Sequence, residues 1–149
     1  IYVPLSYSKY SISYVDEVVQ KGKKMFGENF IALLNFVDVE TYNSIIDSCG
    51  FVFMNHLRSQ AGGNIIFSLF TGKKVFMSKK SSMYVFLKNL GITIFNIDDF
   101  NSKKNHLLTE LTFEQKTENR ALVLKYFSKN KSIENLIKIS KKIHGITEI

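Results

Sequence analysis

Between two apolar runs the chain carries a cluster of side chains suited to holding an anion: Asn55, His56, Arg58 and Gln60, followed at once by Gly62-Gly63-Asn64. Arginine supplies a fixed fork of donors, and a charge-assisted hydrogen bond from it is worth about 1.5 to 3 kcal/mol. Paired glycines let a ligand come close to the backbone, and unpaired amides at a helix start favour negative charge by roughly 0.3 to 1 kcal/mol. The chemistry these residues suit is recognition of a phosphate or a diphosphate. A plainer reading stands beside it, in which the glycines allow two helices to pack closely and the polar residues form an ordinary solvated loop.

The flanking runs decide what would position this cluster. Phe51 to Met54 is too short for a helix and fits a buried strand, whereas Ile65, Ile66, Leu69 and Phe70 recur at helical spacing up to Gly72. A strand thus feeds a helix through a polar loop, and in open α/β sheets ligands bind beyond the carboxyl ends of the strands. The segment lacks the Gly-Lys-Ser/Thr ending of a Walker A loop, and it lacks GxGxxG.

The remainder repeats the same alternation. Strands are expected over residues 1–5, 30–34, 51–54, 74–77 and 93–97. A helix bearing Ile12, Val15, Val18, Val19, Met25 and Phe26 on one face stops at Gly27. A second begins at Asp38 and ends near Cys49-Gly50, and a third covers 81–90. Five strands interleaved with helices predict an α/β fold: one Rossmann-like parallel sheet with helices on both faces, filling residues 1–99. After the polar break at 98–105 come two amphipathic helices, near 113–127 and 132–143, parted by 128–131. The stripes bearing Leu122, Tyr126, Leu136 and Ile143 are expected to pack into the core, with Lys138, Lys141 and Lys142 on the solvated side or lying weakly on a membrane surface.

Composition narrows the functional classes. The 149 residues suit one domain with a real core, and no apolar run approaches the roughly 20 residues of a membrane span. The first residues start a strand without a leader or an initiating Met, which suggests a domain excised from a longer protein. Cys49 has no partner for an internal disulfide, so a structural thiol in a reducing, cytoplasmic setting is expected. Net charge is +7: residues 1–99 carry ten Lys/Arg against eight Asp/Glu, and residues 100–149 ten against five. Such an excess attracts nucleic acid, anionic lipid and phosphorylated substrates alike. His56, His106 and His144 are scattered and no metal-ligand spacing appears, so no metal is expected. Asp98-Asp99 reads as a capping or solvated pair, and no Gly-x-Ser-x-Gly elbow is present.

The segment NHLRSQAGGNIIFSLFTGKKVF resembles the NHxRQQAxGN-(apolar)-GKKV segment of the bacterial 4-alpha-L-fucosyltransferases, the family of TDP-N-acetylfucosamine:lipid II N-acetylfucosaminyltransferase. The resemblance extends to VPLSYS near the start, to Leu34-Asn35-Phe36 with Tyr42-Asn43, and to the strand pair around Lys73 and Phe95, about residues 1 to 100. Ser59 departs from it where a second glutamine is expected. The resemblance implies the carboxyl-terminal, donor-binding half of a GT-B glycosyltransferase. Such an enzyme transfers a 4-acetamido-4,6-dideoxyhexose from a TDP carrier to a lipid-linked glycan at the cytoplasmic face of the inner membrane, as a peripheral enzyme, for surface polysaccharide. It further implies transfer without a metal or other cofactor, and an acceptor site and general base in a separate amino-terminal half, so that this portion alone binds nucleotide but turns over little substrate. Under it, Arg58 with the Gly62, Gly63 and Asn64 backbone holds the diphosphate and His56 steadies the leaving group. Lys73 adds charge, Asn55 and Gln60 bind hydroxyls, and Ser6 and Tyr7 face the donor. Two other classes stay open at this stage: a non-catalytic nucleotide-binding α/β module, and a basic adaptor for nucleic acid or a membrane surface.

Overall fold

A computed structural model describes residues 1–6, 11–58, 60–102 and 109–143. The chain is α/β with parallel strands, and it divides into two compact units, Ile1–Ile46 and Asp47–Ile149. The strands form two parallel sheets, one of two strands and one of three, where a single five-stranded sheet was expected.

The first unit is a β-α-β repeat. β1 (Tyr2–Pro4) and β2 (Ile31–Leu33) pair in parallel with Tyr2 opposite Ile31, and α1 (Ile12–Phe26) crosses between them. Ser11 caps α1 by accepting from the Tyr14 amide, and Gly27 ends it at φ 56°. Only the middle of the expected stripe, Val15, Val18 and Val19, turns inward, with Gly22 fully covered; Ile12 and Met25 stay exposed. Gly22 is there because the Phe30 ring lies on it. A Cβ would stand 2.2 Å from Phe30 Cε2.

The second unit holds the larger core. Its sheet runs β3-β4-β5, with β3 (Phe51–Met54), β4 (Lys74–Met77) and β5 (Phe95–Asn96), and Phe53 opposite Phe76. Side chains alternate across a strand, and the two faces are built differently. Val75 and Met77 point toward α3 (Gly62–Phe70), α4 (Ser82–Asn89) and α5 (Phe113–Phe127), joining Ile65, Leu69, Leu87 and Val123 in one cluster. On the other face Phe76 stacks on Phe53 at 4.9 Å, lies tilted against Phe95 and meets Phe100 edge to face. Lys74 is buried on that face. Its Nζ donates to the Thr109 carbonyl at 2.9 Å and lies 4.4 Å from the centre of the Phe95 ring, and burial lowers its pKa.

β5 is two residues long, against the five expected, because Thr93 has another partner. Asn119 of α5, fully buried, accepts from the Thr93 amide at 2.8 Å and donates to the Thr93 carbonyl at 3.0 Å. Its side chain thus satisfies the backbone groups a neighbouring strand would have taken. The break expected over 128–131 shrinks to Ser128, which ends α5 and accepts from the Lys131 amide at the start of α6 (Lys129–Ile143). α2 (Val39–Ser48) starts at Asp38, whose carboxylate accepts from the Thr41 amide. Asp98 and Asp99 lie in the 3-10 turns after β5, where Asn96 Oδ1 accepts from the Asp98 amide.

Candidate functional site

The loop of residues 55–61 leaves the carboxyl end of β3 and enters α3, so the polar cluster lies where the sequence places it. Its residues are partly organised among themselves. Arg58 Nε donates to Gln60 Oε1 at 2.9 Å, which holds the guanidinium on the loop. His56 is half-buried, and burial, followed by the nearby Arg58 charge, pushes its pKa below the ordinary imidazole value. At neutral pH it is therefore an uncharged ring with one N–H to give. Asn55 and Arg58 are exposed. Ser59 lies outside the described residues.

The start of α3 is unlike that of the other helices. Ser11, Asp38, Ser81, Thr112 and Ser128 each bring a side-chain oxygen to a first-turn amide of their helices. Ala61 precedes α3 instead, and no side chain caps from that position. Ala61 also sits at φ 54°, the left-handed region that costs an alanine roughly 1 to 2 kcal/mol. A missing cap and a strained backbone on one residue, next to a polar loop, are features that functional segments retain against stability. The two glycines that follow are not required by packing. Among the described residues a Cβ on Gly62 would meet only Met83 Cε at 3.6 Å, an ordinary contact, and one on Gly63 would meet nothing within 4 Å. This removes the close-packing explanation for Gly62-Gly63 and leaves open space over the first turn of α3.

Lys73 is not brought to this loop. It follows α3, so the length of a nine-residue helix, about 13 Å, separates it from Gly62. Its Nζ pairs with Asp47 Oδ1 at 3.0 Å and donates to the Asp47 carbonyl at 2.6 Å. With Glu110 and Lys116, themselves paired at 2.6 Å, it borders a polar cleft of about 190 Å³ at the amino ends of β3 and β4. The resemblance assigned Lys73 to the diphosphate through the GKKV run, of which it is part. A strand that follows a helix starts at the opposite edge of the sheet.

The cations at the carboxyl edge are others. Met54 pairs with Met77, so Lys79 and Lys80 follow the end of β4 as the polar cluster follows the end of β3. The Lys79 amide donates to Asn96 Oδ1 and the Lys80 amide to Ser78 Oγ, both at 3.4 Å, and Ser81 caps α4. The signal for them was present in Ser-Lys-Lys-Ser between a strand and a helix. Ser6 belongs to the first unit, at the carboxyl end of β1; its Oγ is buried with no hydrogen-bond partner among the described residues. Tyr7 lies outside the described residues, as do His106 and His144.

No protein-family model matches the sequence, no curated protein matches it, and no solved structure matches it.

Proposed function

We propose that the 55–64 segment binds the diphosphate of a nucleotide-sugar donor, and that the chain is the donor-binding, Rossmann-like half of a GT-B glycosyltransferase resembling the 4-alpha-L-fucosyltransferases. The observation that carries the reading is the tethered Arg58 beside the start of α3, where Ala61 offers no capping side chain. Helix amides and a guanidinium are the groups that offset a diphosphate's charge where no metal is used. They act most strongly when charge builds on the leaving group, which is the electrostatic share of catalysis. The Gly63 and Asn64 amides with Arg58 take the diphosphate, and Lys79 and Lys80 add positive potential at the same sheet edge. Neutral His56 donates one hydrogen bond to the leaving oxygen, and Asn55 and Gln60 bind sugar or ribose hydroxyls. The sugar is a 4-acetamido-4,6-dideoxyhexose on a TDP carrier, and its acceptor is a lipid-linked glycan bound, with the general base, by an amino-terminal half.

Calorimetric titration with TDP, UDP and GDP tests this. Saturable binding of one nucleotide is expected, weakened about ten- to hundredfold by Arg58→Ala, the loss of a hydrogen bond to a charged group. Gly63→Ala fills the open space above α3 without touching the core, so it should weaken binding and leave thermal stability unchanged. A folded protein that binds none of the three, or binds with equal affinity in both variants, overturns the proposal.

A further inference from the structure

The apolar stripe of α6 is not core. Ile133, Leu136, Ile137 and Ile139 are 44, 66, 51 and 57% exposed, although Leu136 was expected to be packed. At 100° per residue these four side chains fall within one face of the helix, about 160° wide, while Lys131 and Lys138 lie on the opposite side. Residues 129–143 carry five lysines against one glutamate. That glutamate, Glu134, is paired with Lys131 at 3.0 Å.

From this arrangement we infer that α6 docks on an anionic lipid bilayer, lying in its surface with the isoleucines and Leu136 in the acyl boundary and the lysines among the headgroups. The inference stands on α6 alone and goes beyond the donor-site reading. Three features select the bilayer. A helix of about 22 Å with a broad apolar face and a lysine-rich polar face has the form that lies in an interface. It is too polar to cross one, and no described helix is long and apolar enough to do so. A second copy seated on the same face would leave Lys131 and Lys138 on the outer sides of the pair, with no anion to meet. Nucleic acid would engage the lysines but leave Leu136 and Ile137 in water.

The test is sedimentation of the whole chain with phosphatidylcholine vesicles and with mixed phosphatidylcholine-phosphatidylglycerol vesicles. Binding is expected on the mixed vesicles only, falling steeply as salt rises from about 0.1 to 1 M and the screening length shrinks from about 10 to 3 Å. Lys138→Ala should weaken it about fivefold, the share of one lysine at an anionic surface. Leu136→Asp should weaken it tenfold or more, the loss of one buried leucine; at an exposed position it leaves the far-UV spectrum and nucleotide binding intact. The chain contains no tryptophan. Ile137→Trp therefore places a single reporter whose emission shifts to the blue on mixed vesicles. Equal binding to both vesicle types, or none, overturns the inference. Salt-sensitive binding that survives Leu136→Asp assigns the lysines to another polyanion. Self-association without lipid that Leu136→Asp abolishes assigns the face to a second copy.

Discussion

Replacing Asn119 with alanine should cost far more than its place in the middle of a helix suggests. In α5 the side chain is fully buried, and it meets both backbone groups of Thr93 at 2.8 and 3.0 Å. Each hydrogen bond contributes about 1 kcal/mol net, and the stranded Thr93 amide and carbonyl cost a further 1 to 3 kcal/mol between them. Alanine's better helix propensity returns about half a kcal/mol. The expected loss is about 2.5 to 4.5 kcal/mol, which for a urea dependence of about 2 kcal/mol per molar moves the unfolding midpoint down by about 1 to 2 M. Urea unfolding followed by far-UV circular dichroism reads this directly. Asn119→Asp separates the hydrogen bonds from simple volume. Aspartate keeps the acceptor for the Thr93 amide but buries a charge and loses the donor, so its folded-state pKa rises above the usual carboxylate value. Its deficit should be largest at neutral pH and shrink as the pH falls toward 4, where the protonated acid donates to the Thr93 carbonyl. A loss below about 0.5 kcal/mol in Asn119→Ala, or a pH-independent deficit in Asn119→Asp, would refute the role given to this side chain.

Two further outcomes follow from the geometry. His56 has a folded pKa below its unfolded value of about 6.5, so its contribution to stability is fully present above that value and declines as the pH drops toward the folded pKa. His56→Gln should flatten that part of the stability profile. A bound diphosphate should raise the His56 pKa and make nucleotide affinity climb between about pH 7 and 6, which NMR titration of the ring would detect. In the first unit, Gly22→Leu must displace the Phe30 ring and should lose about 1 to 3 kcal/mol by thermal denaturation, whereas Gly50→Ala, with nothing within 4 Å of its Cβ, should not.

Sequence pattern located elements well and their partners poorly. Phe51–Met54, Lys74–Met77 and Phe113–Phe127 fall where apolar runs and caps place them, because short runs between turn residues and a Thr112 capping box are local signals. The pattern does not say which strands share a sheet, and β1-β2 and β3-β4-β5 are separate ladders. It also does not say what faces an apolar stripe: α6 has the periodicity of a core helix and leaves Leu136 exposed. Asn119 and Gly22 were invisible for the same reason, since each answers a residue distant in sequence, Thr93 or Phe30. At the candidate site, residues 55–64 fall between β3 and α3 as the apolar pattern places them, but Lys73 was assigned through the resemblance, and the strand direction takes it to the other edge.

The two ends of α3 are closed differently. At its carboxyl end the helix is closed internally: Arg120 Nε donates to the Phe70 carbonyl at 3.1 Å with the guanidinium 4.7 Å from the centre of the Phe70 ring, and the Thr71 hydroxyl donates to the Phe67 carbonyl. A cation thus answers the negative end of the helix dipole. At the amino end the residue that normally caps is an alanine in left-handed backbone. Ala61→Asp tests whether that end is reserved. Aspartate tolerates φ 54° better than alanine, can accept from the first-turn amides, and adds a negative charge at the positive end of the dipole, together worth about 0.5 to 1.5 kcal/mol of stability. The same carboxylate occupies the anion's place and repels it. If α3 binds a diphosphate, Ala61→Asp should raise the melting temperature and reduce nucleotide affinity at least tenfold in the same protein. A variant that is stabilised and binds as tightly as before would show that the amides at this end never meet the ligand, and the diphosphate would then have to be held by Arg58 and the lysines after β4.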